Sequence, residues 1–449
     1  MLKKIVLSLC LLTSSMGFSQ EYSFTLEEAI AFAIDSSYTT MNARRDIAIA
    51  IKQKWEATAS GLPQINADIN YQNLLKQPVT LIPGEITGGE PGTFVPVVFG
   101  TEQNASLFAT LEQLIFDGSY LVGLQAAEAF LDFSENANEK ANLEVRRGVI
   151  NAYGSVLLAE TIIDIFESNR QNLEKNLYET RKTFENGLAE EESVEQLEIT
   201  LLDITTQLNN AKRSYVLAKE LFNVSLGIDV SAEVTLTETL DDLTAQNIDL
   251  EFLDQTSLSI EENVDYKIAF NLTQQRDLEL KLENSFYLPR LTAFVNYGTS
   301  SFSNDFDFLR SDQPWFQSST LGVRMSVPIF SSGLRKSRSA QARIEVDKAA
   351  TNLQQVMQEV QLEFNTARNN YLLAIETYKN NKRNLDLAER IERKNQIKYS
   401  EGIATSFDLR QAQLQLYTAQ REYFFSMLEV INAKADLETV MNTPQFNNQ

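Results

Sequence analysis

Two short runs of acidic side chains are the residues in this sequence best placed to act on a passing charge. Glu190, Glu191, Glu192 and Glu195 follow closely on Gly187, and Asp408 follows Gly402 in the run Thr405-Ser406-Phe407-Asp408. Carboxylates gathered at one place attract cations and repel anions. Both runs also read as helix beginnings, where acids are favoured by the helix dipole. Thr405 and Asp408 have the spacing of a capping box, in which the acid bonds back to the cap residue's N–H. The four glutamates read as a solvated first turn.

Covalent and metal chemistry find little to work with. The chain has no histidine, so the usual general base and the commonest metal ligand are both missing. Its one cysteine, Cys10, lies inside an apolar run near the start. No nucleophile–base motif, phosphate loop or metal-ligand cluster appears, so the expectation is a protein without catalysis and without a cofactor. With 61 acidic against 39 basic residues the chain carries a net charge of −22, which repels nucleic acid and anionic surfaces.

The start of the chain reads as a signal peptide, residues 1–19. Lys3 and Lys4 precede the apolar Ile5 to Leu12, and Gly17 and Ser19 stand before a cut ahead of Gln20.

The elements that position the acids are written twice. LPQINADINY at Leu62–Tyr71 is echoed by LPRLTAFVNY at Leu288–Tyr297, and Ile115-Phe116-Asp117-Gly118 by Ile329-Phe330-Ser331-Ser332-Gly333. Gly187-Leu188-Ala189 returns as Gly402-Ile403-Ala404, offset by 215. Internal repeats of this kind mark a tandem architecture. Each copy is expected to run strand, loop, strand, long helix, turn, second helix. The expected divisions are a first repeat at 20–228, a linker at 229–262, a second repeat at 263–443 and a tail at 444–449.

Prolines are confined to 63–96, 289–328 and 444, leaving two long proline-free stretches. Within them apolar residues recur every three and four positions. Val346, Ala350, Leu353, Met357, Val360, Phe364, Ala367, Tyr371, Ala374 and Tyr378 form one stripe, matched in the first copy by Val145, Val149, Ala152, Val156, Ala159 and Ile163. Leu409 to Val440 and Val194 to Phe222 carry the same rhythm, broken at Ser426. A 3.5-residue period held this far predicts antiparallel coiled-coil helices. Residues 119–186 and 334–401 would each span roughly 100 Å at 1.5 Å per residue.

The strands follow a period of two. Ile65, Ala67, Ile69 and Tyr71 alternate with polar residues, as do Leu107, Ala109 and Leu111, and Leu321, Val323, Met325 and Val327. One apolar and one polar face suit a sandwich or a barrel wall. Four strands are too few to close a useful bore, whereas three chains of four would make a twelve-stranded barrel. The loops Pro78–Gln103 and Gly298–Ser318 are polar and turn-rich and read as the cell-exterior side.

With these motifs assembled, the sequence resembles the TolC-like outer-membrane efflux proteins. The resemblance covers nearly all of 22–443 and rests on the opening Thr25-Leu26-Glu27-Glu28-Ala29-Ile30, the LPQI and LPRL strand beginnings, the IFDG and IFSSG junctions and the two glycine turns. It implies an α+β membrane protein: a homotrimer with a β-barrel in the outer membrane, continued by an α-helical barrel across the periplasm of a Gram-negative-type cell. It also implies an equatorial region near the linker, outer-membrane lipid around the barrel, and a periplasmic adaptor and an inner-membrane pump as partners. Tyr399, Gly402 and Asp408 match its aperture positions, Gln411 stands where a second aspartate is common, and Ala404 where an arginine is common. Glu192 and Glu195 are the aperture candidates of the first copy, and Gly187 and Gly402 the tips an adaptor would touch. Export of small molecules such as drugs is the leading reading. A duct for secreted polypeptides, a metal-ion exporter and a soluble periplasmic coiled-coil scaffold are the alternatives.

Overall fold

The computed structural model describes residues 22–249 and 258–442. The expected signal peptide and C-terminal tail lie outside the described residues. The chain divides into two compact units, and each draws on both copies of the repeat. One comprises Ile49–Asp132 and Asn271–Ala350; the other takes the chain up to Ala48, Phe133–Phe270 and the chain from Thr351.

The first unit is built on a four-stranded antiparallel sheet. Its strands are β2 (Gln64–Asn73), β5 (Gln103–Phe116), β7 (Arg290–Ser303) and β8 (Phe316–Ser326), in that spatial order. The register puts Ile65 opposite Leu111, Leu111 opposite Val295 and Val295 opposite Leu321. Directly paired residues share a face, so this row is apolar across all four strands, while the same face turns polar on β7 and β8 at Thr299, Gln317 and Ser319. That face is uncovered within the chain: Ile69 is 83% and Leu321 77% exposed. At one end of the sheet stand the rings of Tyr71, Phe306, Phe308 and Trp315, each within 6.5 Å of a neighbour's centroid.

Two of the repeated motifs are junctions: IFDG and IFSSG lead from a strand into a long helix, and LPQI and LPRL open a strand after a helix. Asp117 of IFDG accepts from the N–H of Ser119 at 2.8 Å, opening the long helix, and pairs at 3.4 Å with Arg290 of LPRL. Gly118 lies close against the segment that precedes β7: a Cβ there would stand 2.7 Å from Leu288 Cδ1 and 3.1 Å from Ser285 Cβ. A register shift between Leu114 and Phe116 bends the end of β5 where it meets this junction.

The loop expected at Pro78–Gln103 differs from the reading. It contains a hairpin of β3 (Val79–Pro83) and β4 (Phe94–Val98), tied across Leu81 and Pro96. Prolines 83 and 96 read as breakers, but an exposed two-stranded ribbon accommodates proline wherever no ladder N–H is required.

The second unit is helical. α3 (Gly118–Glu185) and α7 (Leu334–Ser400) contribute to both units, and the shorter α4 (Glu191–Leu226) and α8 (Ser406–Val440) follow them. Before these come α1 (Leu26–Ser36) and α2 (Tyr38–Ala59). α6 (Val264–Ser285) opens the second copy, and α2 and α6 also contribute to both units. The seam is buried as the stripe required: Phe364, Ala367, Tyr371 and Ala374 pack with Val430, Ala433, Leu437 and Val440. A second core joins Val149, Tyr153, Val156 and Leu157 of α3 to Phe222, Leu226, Met427 and Ile431. Two positions depart from the pattern. Ala350 is exposed and Ala349 buried in its place, and Ser426 is buried because its hydroxyl donates to the carbonyl of Tyr423 at 2.6 Å. α3 also holds an eighteen-residue stretch apolar enough to cross a membrane by composition, half of it buried within the chain.

The linker is structured where it is described. β6 (Val234–Leu236) pairs in parallel with β1 (Tyr22–Phe24), and α5 (Leu240–Gln246) buries Leu240, Leu243 and Thr244. Tyr371 fastens it to α7, its hydroxyl donating to Asn247 O at 2.6 Å and accepting from Asp249 N at 3.0 Å. Burial pushes that phenol's pKa up.

The seam makes a direct prediction. Phe364→Ala should destabilise the protein by about 3–5 kcal/mol as a buried aromatic is lost, while Thr366→Ala, exposed two positions on, should cost far less. Equal shifts in thermal unfolding would mean that the stripe does not carry the packing.

Candidate functional site

The two glycine turns have one geometry. Gly187 and Gly402 adopt φ of +74° and +73°, the left-handed conformation that ends a helix and that glycine tolerates best. In the first copy the Gly187 N–H bonds Phe184 O at 2.8 Å and the Leu188 N–H bonds Thr183 O at 3.0 Å. In the second, Gly402 bonds Tyr399 O at 3.0 Å and Ile403 bonds Lys398 O at 2.8 Å. Every donor and acceptor is offset by the same 215 residues.

The turns bring the four helix ends of the second unit into contact. Thr180 of α3 and Tyr399 of α7 share a hydrogen bond at 2.9 Å. One turn further along, Asn176 and Gln396 exchange a reciprocal pair at 3.2 Å. Between the shorter helices Ser193 bonds Ser406 at 3.1 Å, and from α3 the Asn169 amide donates to Gln420 of α8 at 3.0 Å. At this end Leu173, Leu197 and Ile204 form a small buried apolar cluster, and Val194, Leu409 and Ala412 are buried as well.

Asp408 is engaged in its own cap. The Thr405 N–H donates to its Oδ2 at 3.0 Å, the Thr405 hydroxyl donates to the same oxygen at 2.7 Å, and the Asp408 N–H returns to Thr405 Oγ1 at 3.2 Å. Bonding by the Thr405 hydroxyl, then by its N–H, holds the Asp408 carboxyl below the ordinary aspartate range. Gln411, one turn on, is exposed. Tyr399 is half-buried, and its hydroxyl is held by Thr180. The first copy has no such cap: Glu190 stands at the cap position of α4 with no side-chain bond. Glu192 is exposed and accepts from Gln196 at 2.9 Å, and Glu195 is exposed. Among the described residues no ion pair or hydrogen bond joins Asp408 to these glutamates.

Two residues at this end were not singled out from the sequence. Leu188 and Ile403, directly after the turn glycines, are 81% and 76% exposed. Their signal was present in the matched Gly-Leu-Ala and Gly-Ile-Ala, where an apolar residue recurs at a turn that the chain leaves open to solvent. Among the described residues there is no group of acids, histidines or cysteines arranged to hold a metal ion.

Residues 260–443 match the family described as outer membrane efflux protein. The fold is that of solved outer-membrane channels. The Campylobacter jejuni CmeC outer membrane channel aligns at a TM-score of 0.75 with 16% identity, over 93% of this chain and 85% of that one. VceC, an outer membrane protein of Vibrio cholerae, aligns at 0.70 with 16% identity, over 93% and 96%. The open state of the Neisseria gonorrhoeae MtrE outer membrane channel aligns at 0.68 with 16% identity, over 93% and 88%. No curated protein sequence matches the chain. The resemblance to TolC-like outer-membrane efflux proteins read from the sequence is thereby borne out, by a family signature in the second copy and by the fold of the chain.

The cap has a pH signature whose sign follows from its direction. The folded pKa of Asp408 lies below its unfolded value, so the stabilisation is complete above the ordinary aspartate range and is lost as pH falls through the lower, folded value. Hydrogen exchange at the Thr405 and Asp408 amides should stay protected down to that pH. Asp408→Asn should keep protection at neutral pH and Asp408→Ala should lose it; indistinguishable exchange in the two variants would remove the cap.

Proposed function

We propose that this chain is one of three identical protomers of an outer-membrane exit duct, the outermost part of a tripartite efflux system that carries small molecules such as drugs out of a Gram-negative-type cell. The observation that supports it most is the sheet, with its uncovered apolar face and two free edges at β2 and β8. Lipid offers no partner to an unpaired peptide group, so a spanning sheet has to close. β2 and β8 run in opposite senses, because four strands alternate. Copies can therefore join β8 to β2 with antiparallel pairing maintained all the way round. The aromatic rings at one end of the apolar band suit a membrane–water interface.

In this reading the long helices continue the duct through the periplasm. The glycine turns meet a periplasmic adaptor, through which an inner-membrane pump loads the duct. Leu188 and Ile403 are the exposed apolar contacts of those tips. Asp408, Gln411 and Tyr399, with Glu192 and Glu195, form the aperture. Three copies would bring three Asp408 carboxylates around one opening, where like charges in a confined passage favour cations. The capping bonds leave that field in place, since the carboxylate stays ionised.

Native mass spectrometry of outer-membrane extracts should show three chains, and a stable monomer in the soluble periplasm would sink the proposal. Leu321→Arg, on the apolar face, should prevent stable insertion at a cost of about 2–4 kcal/mol, whereas Asn70→Asp on the other face should assemble. Asp408→Asn trimers should lose cation selectivity in planar bilayers; an unchanged reversal potential would confine Asp408 to capping. Leu188→Ser with Ile403→Ser should leave trimers intact yet abolish drug resistance in cells; unimpaired resistance would place the adaptor contact elsewhere.

A further inference from the structure

The polar face of the sheet carries one arrangement twice. In one row the register sets Asp68 of β2 opposite Phe108 of β5, and Phe108 opposite Gly298 of β7. In a second row, one strand over, Glu112 of β5 stands opposite Phe294 of β7, and Phe294 opposite Gly322 of β8. Each row reads carboxylate, phenylalanine, glycine. The rings lie down over the glycines: a Cβ at position 298 would come within 2.2 Å of Phe108 Cδ1, and one at 322 within 2.5 Å of Phe294 Cζ. A ring laid flat on the wall turns its face, the electron-rich side, toward whatever occupies the space above it.

The second row already holds a cation. The guanidinium carbon of Arg324 lies 5.2 Å from the Phe294 centroid. Arg324 pairs in register with Thr292 and so occupies the diagonal position beside Phe294 on the same face. The equivalent position in the first row, two residues toward the same end of the sheet, is Asn296. Its amide donates to Thr110 at 3.0 Å instead, and it carries no charge. The chain thus contains one carboxylate–ring row fitted with its own cation and one of the same design without it.

We propose that Asp68 and Phe108 form a contact site for organic cations on the inner wall of the barrel, with Arg324 over Phe294 showing the geometry of the occupant. A quaternary ammonium or phosphonium group would sit over the Phe108 face, with the Asp68 carboxylate on the adjacent strand opposing its charge. Directly paired side chains lie about 5 Å apart at Cβ, close enough for one solute to touch both. The site is shallow and wet, as suits a cargo that has to leave again. This inference rests on the exit-duct reading above, because only a closed barrel turns the polar face inward.

The test is block of single trimers in planar bilayers by tetraphenylphosphonium, against tetraphenylborate, an anion of the same shape. Wild type should be blocked by the cation at lower concentration than by the anion. D68N and F108L should each raise the cation's blocking concentration about two- to fivefold, the size of one exposed cation–π or charge contact, and leave block by the anion unchanged or stronger. R324Q, which uncovers Phe294 beside Glu112, should lower the cation's blocking concentration about twofold. D68N carries the test if F108L fails to assemble, since Asp68 is exposed. Conducting wild-type trimers whose cation block is the same in D68N and F108L would overturn the site while leaving the duct standing. Absence of any trimeric conductance would instead remove the duct reading itself.

Discussion

Peptide groups away from water have to be paired, and the two units meet that demand in opposite ways. A helix pairs its N–H and C=O groups within itself, so α3 and α7 can run for 68 and 67 residues without a neighbouring strand. What a helix cannot do alone is cover its apolar stripe, and the seam of Phe364, Tyr371 and Ala374 against Val430 and Leu437 does that within one chain. A sheet has the reverse difficulty. Its faces follow from alternation, but its outer strands keep a row of unpaired groups. Here β5 and β7 are paired on both sides, whereas β2 and β8 are each paired on one. The helical unit has its cores inside the chain, and the sheet leaves both its apolar face and its edges to be completed.

The doubling explains much of the detail. The turn hydrogen bonds at Gly187 and Gly402 repeat donor for donor, because both turns end a long helix in the same left-handed step. Where the copies diverge, side chains have taken up different local tasks. Thr405 and Asp408 close a reciprocal cap, while their counterparts Glu190 and Ser193 do not, and Ser193 instead bonds Ser406 in the other copy. Asp117 opens α3 and pairs with Arg290. At the matching junction Ser332 and Gly333 turn the chain at positive φ, and Arg335 bonds the Ser331 hydroxyl.

Features with a period were legible in the sequence, and features made by a few distant residues were not. The long helices end within one residue of the expectation, because Gly118, Gly187, Gly333 and Gly402 mark their limits and the heptad rhythm runs between them. The sheet's apolar face could be read from alternation, and the register extends it across all four strands. The three-residue pairing of Tyr22 with Val234 had no such signal, since two short strands more than two hundred residues apart carry no local pattern. The β3–β4 hairpin was hidden by Pro83 and Pro96. Ser426 looked like an interruption because its buried state depends on a backbone carbonyl, which residue type does not reveal. At the candidate site, the Thr405–Asp408 spacing announced the cap. Leu188 and Ile403 had a signal in the apolar residue that recurs after each turn glycine, but their exposure depends on the left-handed turn itself, which residue type does not reveal.

The grading of interactions along the helical unit bears on how its two ends differ in firmness. Around Tyr153 and Phe222 the packing is broad and apolar, with Tyr153 fully buried, its hydroxyl donating to Phe24 O at 3.1 Å and burial pushing its pKa up to about 12. Toward the glycine turns the buried apolar cluster shrinks to three residues, and contacts between the copies pass to neutral polar pairs: Asn169 with Gln420, Asn176 with Gln396, Thr180 with Tyr399. A buried aromatic costs about 3–5 kcal/mol to remove, whereas a neutral hydrogen bond contributes about 1 kcal/mol net because water replaces it when it opens. Separating the helices near the turns therefore exposes groups that water accepts, while separating them near Tyr153 exposes groups that it does not. Local opening begins where few apolar contacts are lost, and in this chain that is the end carrying Tyr399, Asp408 and the two exposed tips.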